Sequence, residues 1–172
     1  MTAEPAIRAE CLRGVVFDLD GTLVDGYVGI ATAVNAARAA YGLPALAEDD
    51  VRGRVGLGLS HLMEDVVGAA RADAATAIFR SVYDRVCLDE TRPVAALDAT
   101  LAALRARGFR MSVASNKPVA YSIRILERLG VHVYFDTIEG PETAGALKPD
   151  PAMIRACLAA MGVTADDADY VG

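Results

Sequence analysis

At 172 residues, 53% of them apolar and 23% charged, the chain has the composition of a soluble globular protein with room for one full core and a small insert. Its net charge of −6, without basic clusters, argues against nucleic-acid and anionic-membrane partners, and no apolar run approaches the length of a membrane span. Cys11, Cys87 and Cys157 are scattered and odd in number, and the opening MTAEPAIRAE lacks the charged-then-apolar order of a secretory leader. Reduced thiols in the cytoplasm are the expectation.

In chain order, Gly14-Val15-Val16-Phe17 is a short continuous apolar run that predicts a buried parallel strand ending at Asp18. DLDGT then makes a loop. Helical spacing runs from Tyr27 to Tyr41, with Gly42 at the stop, and recurs over Asp50–Val55, His61–Ala69 and Ala72–Leu88. The glycines of VGLGLS break these stretches, and Ser60 is the expected N-cap of the helix that follows. No strand pattern appears between Asp25 and Glu90, so this block is expected to be all-helical. After Thr91-Arg92-Pro93 the rhythm changes. Val94, Leu97, Leu101 and Leu104 form a helical stripe ending at Gly108, and Phe109–Ala114 predicts a second buried strand. Pro118 opens a helix that Gly130 ends, Tyr134–Ile138 predicts a third strand, and Asp150 and Pro151 suit the start of a helix that stops at Gly162. Asp169-Tyr170-Val171-Gly172 begins a fourth strand. Strands alternating with helices imply an α/β fold: a doubly wound parallel sheet with helices on both faces.

In such a sheet, ligands bind beyond the carboxyl ends of the strands. Three of these ends carry chemistry: Asp18 and Asp20 after the first, Ser115 and Asn116 after the second, and Lys148 in the loop beyond the third. That set suits phosphoryl transfer. One carboxylate can attack phosphorus, and a second can protonate the leaving oxygen and then activate water. A hydroxyl, an amide and an ammonium can hold phosphoryl oxygens, helped by the helix N-terminus after Lys117. The chain has fifteen Arg against two Lys, Lys117 and Lys148, and each Lys precedes a Pro in a loop that opens a helix. Lys148 is read as functional and Lys117 as a surface charge. Asp18 and Asp20 can also be read as turn caps, but the rest of a calcium loop, including its closing Glu, is missing. Asp25 is expected to cap the first helix of the insert. His61 is expected on the surface of the insert, and Arg52 and Arg54 on a solvated face.

FDLDGTLVD, ASNKP and KPDP, in this order, resemble the first three motifs of the haloacid dehalogenase (HAD) superfamily, in its phosphoglycolate-phosphatase-like branch. The resemblance covers nearly the whole chain. It implies a Rossmann-like core in residues 1–24 and 92–172 and a helical cap in residues 25–91. It makes Asp18 the nucleophile, Asp20 the general acid/base and Lys148 the charge between nucleophile and phosphate. Ser115 would bind a phosphoryl oxygen with Asn116 beside it. Mg²⁺ would be held by the Asp18 carboxylate, the Asp20 backbone carbonyl and an acidic fourth motif. VGLGLS falls where the branch places its substrate-facing loop. Gly26 stands where relatives often have Ser, which is expected to loosen the hinge.

The implied function is a Mg²⁺-dependent phosphatase acting on small phosphorylated metabolites through an aspartyl-phosphate. A sugar-phosphate mutase of the same build and a catalytically weak phosphate-binding remnant are the alternatives. The fourth motif would follow YVG, where Gly172 stands last. The expectation from this is a C-terminally truncated chain with an impaired metal site and an open sheet edge beside the first strand.

Overall fold

The computed structural model describes residues 12–172; Cys11 and the opening segment lie outside them. Four parallel strands make the main sheet: β1 (Gly14–Phe17), β4 (Arg110–Ala114), β5 (Thr137–Glu139) and β6 (Ala168–Val171), in the order β5-β4-β1-β6. All four residues of β1 are buried, as its unbroken apolar run requires of a strand covered on both faces. The strand is paired on both sides, Val16 standing opposite Ser112 of β4 and Tyr170 of β6. The expected open edge beside the first strand is therefore not found: β5 and β6 form the edges.

Helices cover both faces. On one side α5 (Leu97–Ala106) and α6 (Val119–Arg128) pack Leu97, Leu101, Ile125 and Leu126 against Val15, Phe17 and Met111. On the other, α8 (Ala152–Met161) sets Met153, Cys157 and Met161 against Val16 and Ala114. The alternation of β1 and β4 residues between these two clusters is the period-two signature of a strand. Among the described residues, no helix is long and apolar enough to cross a membrane.

Between Asp25 and Glu90 the regular elements are helices joined by loops, a layer of α1 (Tyr27–Ala39), α2 (Glu48–Arg52), α3 (Leu59–Val67) and α4 (Ala72–Val86). Ala33, Val34, Met63, Ala75 and Tyr83 build its own apolar cluster, which Tyr121 of α6 joins from the core. The chain enters and leaves this layer through β2 (Val24–Asp25) and β3 (Arg92–Pro93), an antiparallel pair too short to show a sequence period.

Three local expectations shift. Ser60 lies inside α3, and Gly58 takes the N-cap position at φ +90°, a conformation that favours glycine. The third strand is only Thr137–Glu139, because His132–Tyr134 forms a 3₁₀ turn and Asp136 takes backbone and side-chain bonds of its own. The short helix α7 (Pro141–Ala144) was not anticipated; Thr143 Oγ1 caps it by accepting from Gly140 N–H at 3.0 Å.

Candidate active site

The loop after β1 is wound tightly by its own backbone. The carbonyl of Leu19 accepts from the N–H groups of Thr22, Leu23 and Val24, and Gly21 N–H donates to Val24. Gly21 sits at φ +84°, and a Cβ there would stand 2.8 Å from the Tyr27 hydroxyl, so the glycine of DLDGT answers to both backbone and space. This turn presents Asp18 and Asp20 at the carboxyl edge of the sheet.

Asp18 Oδ1 accepts from Leu19 N–H at 2.7 Å and lies 3.0 Å from Lys148 Nζ. No hydrogen bond within the described residues engages Oδ2. Lys148 Nζ also donates to the Ala114 carbonyl at 2.8 Å and the Tyr170 hydroxyl at 2.9 Å, so two hydrogen bonds hold it beside the ion pair with Asp18. Lys148 thus stands in the crevice beside Asp18. Tyr170 was missed, since only the pairing of β6 with β1 puts it here.

Lys117 overturns its reading as a surface charge. Its side chain is 5% exposed and its ammonium meets both oxygens of Asp20, at 3.2 and 2.8 Å. Burial works against the charged form, but Asp20 and the neighbouring Tyr83 outweigh it and hold the ammonium above its ordinary pKa. Two lysines, the chain's full complement, thus serve two aspartates. The signal was available: in an Arg-rich chain both retained lysines sit in X-Pro loops at sheet ends.

Ser115 is buried, and its Oγ accepts from Lys117 N–H at 3.3 Å, leaving its proton for a ligand. Asn116 lines the same cavity, yet its amide is occupied by backbone. Oδ1 accepts from Lys148 N–H at 2.7 Å, and Nδ2 donates to the carbonyls of Lys148 at 3.0 Å and Gly56 at 2.7 Å. In this arrangement Asn116 ties the lysine loop to VGLGLS.

The helical layer closes the site into a cavity of about 140 Å³. Its polar floor is Asp18, Asp20, Ser115, Asn116 and Lys117; its roof is formed by rings and aliphatic chains from α1, α3, α4 and α6. Phe79 stacks on Tyr83, and Tyr121 meets Tyr83 edge-on. Burial raises the Tyr27 phenol above its ordinary pKa, with Asp20 adding to the effect.

Gly56 and Gly58 face the cavity, as expected of the VGLGLS loop, whereas Leu57 is 55% exposed and His61 lies on the surface. Gly26, not Asp25, takes the N-cap position of α1, and Asp25 one residue earlier accepts from Tyr27 N–H at 3.3 Å. Gly26 does not mark a loose hinge: a Cβ there would stand 3.1 Å from Thr91 Oγ1, so the glycine permits a close approach.

A doubly wound sheet with paired carboxylates and ammoniums at its carboxyl edge, under a helical roof, defines a hydrolase- or transferase-type α/β enzyme. The family model of haloacid dehalogenase-like hydrolases matches residues 15–172. The chain is 34% identical over 161 residues to a phosphoglycolate phosphatase of Aquifex aeolicus, covering 94% of this chain and 76% of that one. It is 38% identical over 158 residues to a phosphoglycolate phosphatase of Cereibacter sphaeroides, covering 87% and 72%. The crystal structure of a "predicted phosphatase" from Clostridium acetobutylicum superposes with a TM-score of 0.82 at 27% identity, covering 92% of this chain and 74% of that one. The chain belongs to the haloacid dehalogenase-like hydrolase family.

Proposed function

We propose that the chain is a phosphatase that hydrolyses small phosphate monoesters through an aspartyl-phosphate. The observation that carries the reading is the contact of Asp18 with Lys148 at the carboxyl end of β1, with Oδ2 of the same carboxylate unengaged. Phosphoglycolate, which the relatives' names specify, is one ester against which the activity is to be compared. Residues 25–91 act as the cap and residues 1–24 and 92–172 as the core.

In this mechanism Asp18 attacks phosphorus, the bond from phosphorus to the ester oxygen breaks, and Asp20 delivers a proton to the departing alcohol. Water then attacks the aspartyl-phosphate while Asp20 takes its proton, releasing phosphate and restoring Asp18. The Ser115 hydroxyl donates to a phosphoryl oxygen, and Lys148 offsets the charge on Asp18 and the transferring group. Lys117 fixes the Asp20 carboxylate. Asn116 holds the loop that aims Lys148, and its place beside the phosphoryl group is through that loop.

The donor set suits Mg²⁺ in part: the Asp18 carboxylate and Asp20 backbone carbonyl are the hard oxygen ligands this ion takes, and it usually keeps several waters beside them. When bound, Mg²⁺ would offset the repulsion between a phosphate dianion and the Asp18 carboxylate. A cytoplasmic setting completes the reading, since Cys87 and Cys157 are buried free thiols and burial pushes the Cys157 thiol up to about 12.

The test is phosphate release from a panel of monoesters with Mg²⁺, for the wild type and Asp18→Asn. The variant should lose at least about 100-fold in kcat while keeping its circular dichroism spectrum, because a neutral amide is a poor nucleophile. A variant retaining more than a few per cent of the rate overturns Asp18 as nucleophile.

A further inference from the structure

Phosphoglycolate carries a carboxylate on its leaving group, so a site built for it should offer a cation beyond those that serve the phosphate. Around this cavity the only lysine in the lining, Lys117, is committed to Asp20. Arg52 and Arg54 of the helical layer are partly exposed and held in surface ion pairs. Arg52 is paired with Glu48 at 2.8 Å and Asp25 at 3.3 Å and lies over the Tyr27 ring, and Arg54 is paired with Asp65. Neither arginine lines the cavity.

What faces the space instead is apolar: Ile30, Leu62, Phe79, Tyr83 and Tyr121. A carboxylate brought here would exchange water for rings, with Asp18 and Asp20 adding like charge at short range. The volume of about 140 Å³ spans both this wall and the polar floor, so a compact leaving group shares it with the phosphoryl group. The Tyr83 hydroxyl is buried within this wall beside the Lys117 ammonium and does not open onto the cavity.

We propose that the substrate is a small phosphate monoester whose leaving group is uncharged and ring-bearing or otherwise apolar, with phosphoglycolate a poor substrate. This rests on the phosphatase reading for its chemistry, but the pocket's selectivity is testable apart from turnover. The comparison is benzyl phosphate against phosphoglycolate in phosphate release, and benzylphosphonate against phosphonoacetate in calorimetric binding, on the whole chain with Mg²⁺.

Benzyl phosphate should have a kcat/KM at least about tenfold higher, the lower end of what an apolar pocket discriminates, and benzylphosphonate should bind tighter by a similar factor. Equal or better performance by the carboxylate-bearing ligand in either assay overturns the proposal. If neither ester is hydrolysed the phosphatase reading fails, while the two phosphonates still decide the leaving-group class. Val55→Arg, at the partly exposed rim of the same cavity, should move the binding ratio toward phosphonoacetate about tenfold by supplying the missing cation. An unmoved ratio in a folded variant overturns the placement of the leaving group against this wall.

Discussion

At the carboxyl edge of the sheet, charged groups meet in pairs: Asp18 with Lys148 and Asp20 with Lys117, within about 3 Å of one another. Across the cavity, the helical layer faces them with Tyr27, Ile30, Leu62, Phe79 and Tyr83 and brings no charge of its own. The first region holds reactive groups in fixed geometry, because each ion is oriented by its partner, and Asp18 and Lys148 by backbone as well. The second has no such constraint and is free to set which leaving group fits. On the proposed mechanism, reactivity and selectivity sit on different parts of the chain, and substitutions in the two should separate cleanly.

The largest effect should come from the floor. Lys148→Ala removes the cation at Asp18 and should lower kcat on the order of 100-fold, with a smaller change in KM, as for other groups that stabilise developing charge. Steady-state kinetics on any accepted ester gives the split; a loss confined to KM would make Lys148 a simple binding residue. Lys117→Met should be next, and should show first as lost stability. It leaves Asp20 buried without its partner, which costs about 3–5 kcal/mol for such pairs. Adding Asp20→Asn should return much of that stability while activity stays lost. Urea denaturation of the single and double variants checks both.

The roof should respond differently. Leu62→Ala should change the ranking of esters, whereas Leu57→Trp should shift no ratio by more than about twofold, as is usual for exposed positions. A changed ranking from Leu57 would mean that the loop turns inward during turnover.

The smallest effect lies at the opposite end of the sheet from the site. Burial pushes the Asp136 carboxyl up, but Arg110 at 2.8 Å and the Met111 N–H more than reverse it, so its pKa falls below the ordinary 3.8. A depressed folded value gives stability that is present above the unfolded pKa and lost as pH falls through the folded one. Asp136→Asn should therefore cost about 1 kcal/mol at pH 7, with the difference from wild type closing as pH falls below the ordinary carboxylate range. Equal stability of the two proteins at pH 7 as well as in acid would show the cluster to be energetically idle.

Much of this architecture was legible in the sequence. The continuous apolar runs of β1 and β4 and the helical spacing after Tyr27 gave the sheet, the helical block and their order, and DLDGT, ASNKP and KPDP marked the edge where the polar groups gather. Lys117 was misread because a lysine before a proline looks like any loop charge until the fold brings it to Asp20, 97 residues away. Asn116 looked like a ligand for phosphate, yet its partners are backbone groups of Gly56 and Lys148, which have no sequence signature. Tyr170 depended on strand register. The apolar roof was invisible because its side chains come from four helices, each of which reads alone as an ordinary amphipathic face.

The position of β1 in the middle of the sheet has a consequence for how the chain is made. Its neighbours are β4, which begins at Arg110, and β6, which begins at Ala168. On a ribosome adding about 5–20 residues per second, β1 waits roughly 5–20 s for its first partner to be synthesised. The helical layer, whose apolar cluster is almost wholly its own, is complete before then. A nascent chain can thus settle residues 25–91 early and carry an unpaired Val-Val-Phe strand meanwhile, which makes that strand the segment most in need of shelter during synthesis.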